Sequence, residues 1–190
     1  MTAGNALGYS FALSLPAEED RRLREWAERT AGATWDEAGA HVTLARFTGS
    51  VAPETLLPAM RQACFSLGAF EARFSKAVRA PYWDKPDAEI VMLVGEQPDD
   101  VSGILALRER LMAAVLPLGV TLFEGGPYVP HVTLTTGLAV EEALRLESAA
   151  GELDLRFRAQ EVVYWCGGET EEVDAPADPA WYVVERLLLL

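Results

Sequence analysis

Alternation of apolar and polar positions, interrupted by segments of helical period, divides the chain into strands and helices. From Tyr9 to Leu15 large apolar residues alternate with small or polar ones, which predicts a strand with one buried face. Pro16 stops it. Between Ala17 and Ala31 the spacing changes: Leu23, Trp26, Ala27 and Thr30 share one side, Glu18, Glu19 and Asp20 open the segment, and Arg29 and then Gly32 close it. Acids at the start, a base in the last turn and a glycine just beyond match the dipole and capping preferences of a helix. A strand is expected from His41 through Phe47, then a helix over Pro53 to Phe65 that starts or kinks at Pro58. Ala69 to Val78 reads as a strand and Ile90 to Val94 as a short one, and two prolines predict a loop over Arg79 to Asp87. Pro98 to Leu116 is the clearest helix, with Val101, Ile104, Leu105, Leu111, Met112 and Val115 turned inward and Pro117 ending it. Beyond the Gly125-Gly126-Pro127 turn come a strand from His131, a helix near Val140 to Ala150, strands over Leu153 to Phe157 and Val162 to Cys166, and a last strand begun at Trp181.

Part of this order repeats. Strand, helix, strand occupies 9–47 and again 90–135, each followed by another helix. In each copy the second strand opens with one tetrapeptide, His41-Val42-Thr43-Leu44 and His131-Val132-Thr133-Leu134, and these hold both histidines of the protein. In an extended strand His and Thr at i and i+2 leave one face while Val and Leu leave the other. A single histidine is ordinarily a satisfied core or surface residue. On residue usage, however, a given histidine is followed by Val-Thr-Leu only about once in two thousand occurrences, so a shared context for both is not chance. Two copies of one supersecondary unit usually pack about an approximate two-fold axis, which would set the two His-Thr faces opposite each other over a cleft. The expected fold is α+β: two lobes of duplicated antiparallel sheet with helices outside, around a central cleft.

Composition narrows the setting. The 190 residues, half of them apolar, suffice for a single domain over 1–190 of two intertwined lobes, each contributing one motif. A net charge of −13 argues against a broad phosphate-binding surface, so long nucleic acid is not an expected partner, whereas a small anion in a local pocket is. Cys64 and Cys166 lie in apolar surroundings without metal-ligand spacing, as reduced structural thiols of a cytosolic protein would. Met1 to Gly8 carries neither a basic residue nor a long apolar run, so no secretory signal is expected. The closing Leu187 to Leu190 is too short to span a bilayer. A cytoplasmic monomer, away from membranes, is the expectation.

Two histidines and two hydroxyls suit in-line displacement at phosphorus. One imidazole takes the proton of the attacking water, the other in its charged form protonates the departing oxygen, and the threonine hydroxyls bind the non-bridging oxygens as charge accumulates. A Ser-His-Asp triad would use only one histidine, and no metal-ligand spacing, Gly-x-Ser-x-Gly elbow or phosphate-cradling glycine loop is present, so no metal or cofactor is expected. The candidate catalytic residues are His41 and His131, with Thr43 and Thr133 as substrate-binding residues.

At these residues the chain resembles the two-histidine (2H) phosphoesterase superfamily, whose signature is a pair of His-x-Thr/Ser-x motifs, one from each half of a two-lobed fold. The order of elements, the separation of about ninety residues and the overall length are similar as well. Pro130 directly before the second motif and Tyr128 just upstream look most like the branch that opens 2′,3′-cyclic phosphates. The resemblance implies hydrolysis of such a phosphate in a nucleotide or short RNA end, toward the 2′-phosphate. Sister activities are a 2′,5′-phosphodiesterase or RNA ligase; a non-catalytic nucleotide-binding module is the alternative from another class.

The rest of the substrate needs walls. Arg73, Lys76, Arg79 and Lys85 stand against one acid, Asp84, in a segment that also holds Tyr82 and Trp83. Aromatic faces stack on bases and cations meet phosphates, which makes Tyr82, Trp83 and Lys85 candidates for nucleoside contact. Tyr128 is another, because the Gly-Gly-Pro turn could fold it over the cleft. Arg46 follows Thr43 by three and is expected on the opposite strand face by simple alternation.

Overall fold

The structure, a computed structural model, describes residues 7–31, 39–82, 85–123, 126–168 and 182–190. The strands among them are β1 (Leu7–Ser14), β2 (His41–Gly49), β3 (Phe70–Phe74), β4 (Lys76–Tyr82), β5 (Lys85–Val94), β6 (Thr121–Leu122), β7 (His131–Leu138), β8 (Leu155–Ala159), β9 (Glu161–Gly168) and β10 (Tyr182–Leu188). The helices are α1 (Ala17–Ala31), α2 (Pro53–Phe65), α3 (Ser102–Val115) and α4 (Val140–Ala150). All strand pairs are antiparallel. They form a five-stranded sheet ordered β10-β9-β1-β2-β6, a three-stranded sheet ordered β4-β5-β7 and a two-stranded pair β3-β8. This is the α+β class that the patterning predicts, and the two histidine motifs open strands in different sheets, β2 and β7.

The alternating strands bury one face each, and a continuous core joins the sheets. In the five-stranded sheet Phe11 meets Phe47 at 5.2 Å and Tyr164 edge-on at 5.0 Å; in the β3-β8 pair Phe74 stacks on Phe157. Helix α1 has the expected bounds and its three acids lie in its first turn. Helix α2 begins at Pro53, where a missing N–H costs nothing, and carries Pro58 inside it. Cys64 and Cys166 are both buried and form no disulfide, and burial pushes the Cys64 thiol up to about 11. No described helix is long and apolar enough to cross a membrane.

Several expectations shift. The strand over Ala69 to Val78 is two strands broken at Ser75, whose N–H donates to the Val94 carbonyl at 3.1 Å. The expected loop over Arg79 to Asp87 is instead the end of a hairpin in which Tyr82 pairs with Lys85. Pro81 is tolerated because β4 is an edge strand, where a residue without an N–H need not interrupt a ladder. Around α3 the helical region is longer but less regular, with 3₁₀ turns at Pro98–Val101 and Leu116–Leu118. Ile104, Leu107, Leu111 and Val115 form its buried stripe, so Leu107 lies inward where Leu105, 42% exposed, was expected. The two-residue strand β6 carries no sequence period of its own, and β8 starts at Leu155 rather than Leu153.

The repeat persists in the strand registers. In the first copy Ser14 pairs with His41, Leu13 with Val42 and Ala12 with Thr43, and then Phe11 with Ala45, leaving Leu44 as the extra residue of a β-bulge. In the second copy Val94 pairs with His131, Leu93 with Val132 and Met92 with Thr133, and then Val91 with Thr135, leaving Leu134 extra. The same residue of each tetrapeptide is the bulge.

Candidate active site

Each histidine is held in the same way. His41 Nδ1 lies 2.8 Å from the Gly39 carbonyl and His131 Nδ1 lies 2.8 Å from the Val129 carbonyl, in each case the carbonyl two residues back. A carbonyl oxygen only accepts, so Nδ1 carries the hydrogen in that bond and proton exchange falls to Nε2. Both rings are half-buried at the start of their strands. Beside His41 stands Trp165 of β9, with ring centroids 5.6 Å apart and a tilt of 58°.

Strands β2 and β7 touch, although they belong to different sheets. The link is Tyr128, whose hydroxyl donates to the Thr43 carbonyl at 2.9 Å. Arg108 of α3 adds a second tie: its Nε donates to the Leu44 carbonyl at 3.0 Å while its guanidinium lies 4.2 Å from the centre of the Tyr128 ring. Burial pushes the Tyr128 hydroxyl above its ordinary range, and the Arg108 charge pulls it back in part. Two consecutive carbonyls at the bulge of the first motif are thus bonded by side chains that precede the second motif or rise from α3.

A cavity of about 260 Å³ opens at this junction. Its walls include Thr43, Tyr128, Val129 and His131 together with Arg46, Arg108, Leu122 and Phe123. Thr43 shares its strand face with His41, two residues before it, and Thr133 stands two residues after His131 on β7. Thr43 and Thr133 are both half-buried.

Arg46 corrects the expectation from alternation. Val42 and Leu44 are buried, and so, one step out of phase, are Ala45 and Phe47, because the bulge inserts an extra residue and reverses the parity of the strand. Arg46 therefore emerges on the Thr43 side and lines the cavity. The signal for this lies in Phe47: strict alternation from Val42 would turn that large aromatic outward and the arginine in.

Other candidates lie elsewhere. Of the predicted site residues Thr43, Tyr128 and His131 line the cavity; His41 and Thr133 do not, but each stands two residues from one that does, whereas Tyr82 and Lys85 neither line it nor adjoin it. His131 pairs with Val94 at one end of β5 and Lys85 begins the other, about 30 Å of strand away at about 3.3 Å per residue. Arg73 and Arg79, cations of the same segment, are held in ion pairs, Arg73 with Asp154 at 2.8 Å and Arg79 with Glu147 at 2.7 Å and Glu89 at 2.5 Å. Compact spacing in sequence suggested one charged, aromatic loop; the hairpin carries it away from the motifs. Trp83 lies outside the described residues. Tyr128 is in the cavity wall, but its hydroxyl is bonded to backbone. Trp165, Arg108 and Phe123 come from β9, α3 and the segment after β6, and nothing in their local sequence ties them to the motifs. Among the described residues no cluster of three or more His, Cys, Asp or Glu could hold a metal ion.

The family model of the 2′-5′ RNA ligase superfamily matches residues 15–169. No curated protein matches the sequence. Among solved structures, E. coli LigT in complex with 3′-AMP superposes with a TM-score of 0.63 at 18% identity, covering 97% of this chain and 98% of that one. TT0787 of Thermus thermophilus gives a TM-score of 0.56 at 21% identity, covering 96% and 97%. Usb1 of Kluyveromyces marxianus gives 0.52 at 11% identity, covering 94% and 97%. At these identities the superpositions speak for the fold; the family match and the duplicated motif together carry the assignment. The chain belongs to the 2′-5′ RNA ligase superfamily of two-histidine enzymes that act on phosphoesters.

Proposed function

We propose that this protein hydrolyses 2′,3′-cyclic phosphates of nucleotides or short RNA ends by acid–base catalysis between His41 and His131, without a metal ion. The observation that carries the reading is the matched pair of imidazoles. Each is held by a carbonyl at Nδ1, on two strands that touch beside a cavity lined by Thr43 and His131.

In the reaction one Nε2 takes a proton from water as its oxygen bonds to phosphorus, and the other, protonated, gives its proton to the ribose oxygen as that P–O bond breaks. Departure of the 3′ oxygen leaves a 2′-phosphate. Thr43 and Thr133 donate to the non-bridging oxygens, where charge builds up in the transition state. Phe123, 56% exposed in the cavity wall, offers a face for the base in place of Tyr82. The capture of 3′-AMP by E. coli LigT supports a nucleotide-sized ligand. The net charge of −13 favours a short substrate over long RNA. We further place the enzyme in the cytoplasm, as a monomer built as one two-lobed domain.

The family description favours a second reading, cleavage or joining of 2′,5′ linkages. Incubation with 2′,3′-cyclic nucleotides, short RNAs ending in a cyclic phosphate and 2′,5′-linked dinucleotides, with EDTA present, separates the readings. Turnover of cyclic phosphates that vanishes in both His41→Ala and His131→Ala is the expected result. Turnover confined to 2′,5′ linkages would replace the first reading with the second. Tight nucleotide binding without any product would make the protein a binding module.

A further inference from the structure

Acids outnumber bases in this chain, 29 to 16, so its arginines readily find carboxylates, as Arg73, Arg79 and Arg186 do. Arg46 does not. Among the described residues its guanidinium has no ion pair and no hydrogen bond, yet it lines the cavity that holds Thr43 and His131. The β-bulge at Leu44 is what turns it there. In β2 the register runs on regularly past the bulge, with Ser10 opposite Arg46, whereas β7 is irregular a second time between Thr135 and Leu138 and carries no cation there.

The spacing says what Arg46 is for. Thr43 and Arg46 are three residues apart, about 10 Å or less of strand, and both line the cavity, so Arg46 is within a nucleotide's length of the threonine that would hold the reacting phosphate. Phe123 is adjacent, its N–H donating to the Arg46 carbonyl at 2.9 Å. A planar guanidinium with unused donors matches a phosphate in a bidentate fork.

We infer that Arg46 binds a second phosphate of the substrate, on its 5′ side, and thereby selects cyclic phosphates that carry one. This rests on the proposed function above and names its substrate class: a nucleoside 2′,3′-cyclic phosphate with a 5′-phosphate, either as a free monoester or as the linkage to a preceding nucleotide.

The test compares wild type, Arg46→Gln and Arg46→Lys on adenosine 2′,3′-cyclic phosphate with and without a 5′-phosphate, and on a dinucleotide ending in a cyclic phosphate. Arg46→Gln should raise KM about 10- to 100-fold for the substrates with the second phosphate, leave kcat and leave the unphosphorylated substrate unchanged, with Arg46→Lys intermediate. The mononucleotide and dinucleotide arms separate a terminal phosphate from a linkage. Equal losses on all substrates would assign Arg46 to the reacting phosphate and overturn the inference, as would no loss on any. Calorimetry with adenosine 2′,5′-bisphosphate and adenosine 2′-phosphate reads the same contact without turnover. If no cyclic phosphate is hydrolysed, the proposed function fails, while a bisphosphate preference that Arg46→Gln removes still upholds the arginine's role. Equal binding of the two ligands by wild type overturns it. Unchanged thermal unfolding of Arg46→Gln checks that the fold is intact.

Discussion

Tyr128 acts on the cleft through position. Its hydroxyl is committed to the Thr43 carbonyl and its ring lies under Arg108, so the residue fixes the first motif relative to the second. Tyr128→Phe keeps the ring and deletes one partly buried hydrogen bond, which should cost about 0.5–1.5 kcal/mol of stability. If the bond aligns the Thr43 hydroxyl with the phosphate, kcat should fall more than KM rises. Steady-state kinetics beside a thermal melt decide the matter, and a lower Tm with kcat intact would reduce the bond to a structural one. Sequence alone proposed Tyr128 for the site but not its partner, because a hydroxyl's acceptor 85 positions away is set by packing and not by local pattern.

Among the elements, α3 lies close to β3 at Gly103. A Cβ built there would meet the Phe70 ring, with Cγ at 2.6 Å, so the glycine is required by a neighbour and not by backbone conformation. Alanine at a helix interior ordinarily stabilises by up to about 1 kcal/mol. Here the sign should reverse, and Gly103→Ala should lower stability by about 1–3 kcal/mol through overpacking, read by denaturant unfolding. The β3-β8 pair contains a second local requirement. Arg73 and Arg156 face each other across it, and Asp154 bonds to both, to Arg73 at 2.8 and 3.2 Å and to Arg156 at 3.2 Å. The Arg73 hydrogen bond holds the Asp154 carboxyl below its ordinary 3.8, with the Arg156 charge contributing. A carboxylate whose pKa is depressed on folding adds stability above its unfolded value and loses it as pH falls through the folded one. Asp154→Asn should therefore show a modestly lower Tm than wild type at neutral pH. That gap should close in melts taken below about pH 3.8, and a gap that persists there would point to packing instead of charge.

For the molecule as a whole, the proposed chemistry requires two imidazoles in opposite protonation states at one phosphorus. The rate of the chemical step should rise and then fall with pH around neutrality. Each of His41→Ala and His131→Ala should lower kcat by about 10²- to 10⁴-fold. Since the two act as a unit, the double variant should lose little more than the worse single one. A multiplicative loss in the double variant would mean that the histidines serve separate steps or separate sites. The single-turnover rate against pH, measured for wild type and each variant, tests both statements, and each single variant should lose one limb of the profile.

Local pattern determined a good deal of this protein. The period of most strands and helices, the charged ends of α1 and the duplicated His-Val-Thr-Leu follow from alternation and residue chemistry within a few positions, and they sufficed for the α+β class and the superfamily. What tertiary structure alone decided is where faces point once strands pair. A bulge opposite β1 reverses the parity of β2 and delivers Arg46 to the cavity, an edge position lets Pro81 remain in a strand, and a hairpin carries Tyr82 and Lys85 to the far end of β5. Arg108, Phe123 and Trp165 join the motifs from distant segments. Register and parity depend on the partner strand, so they are properties of pairs of segments, and no single stretch of sequence contains them.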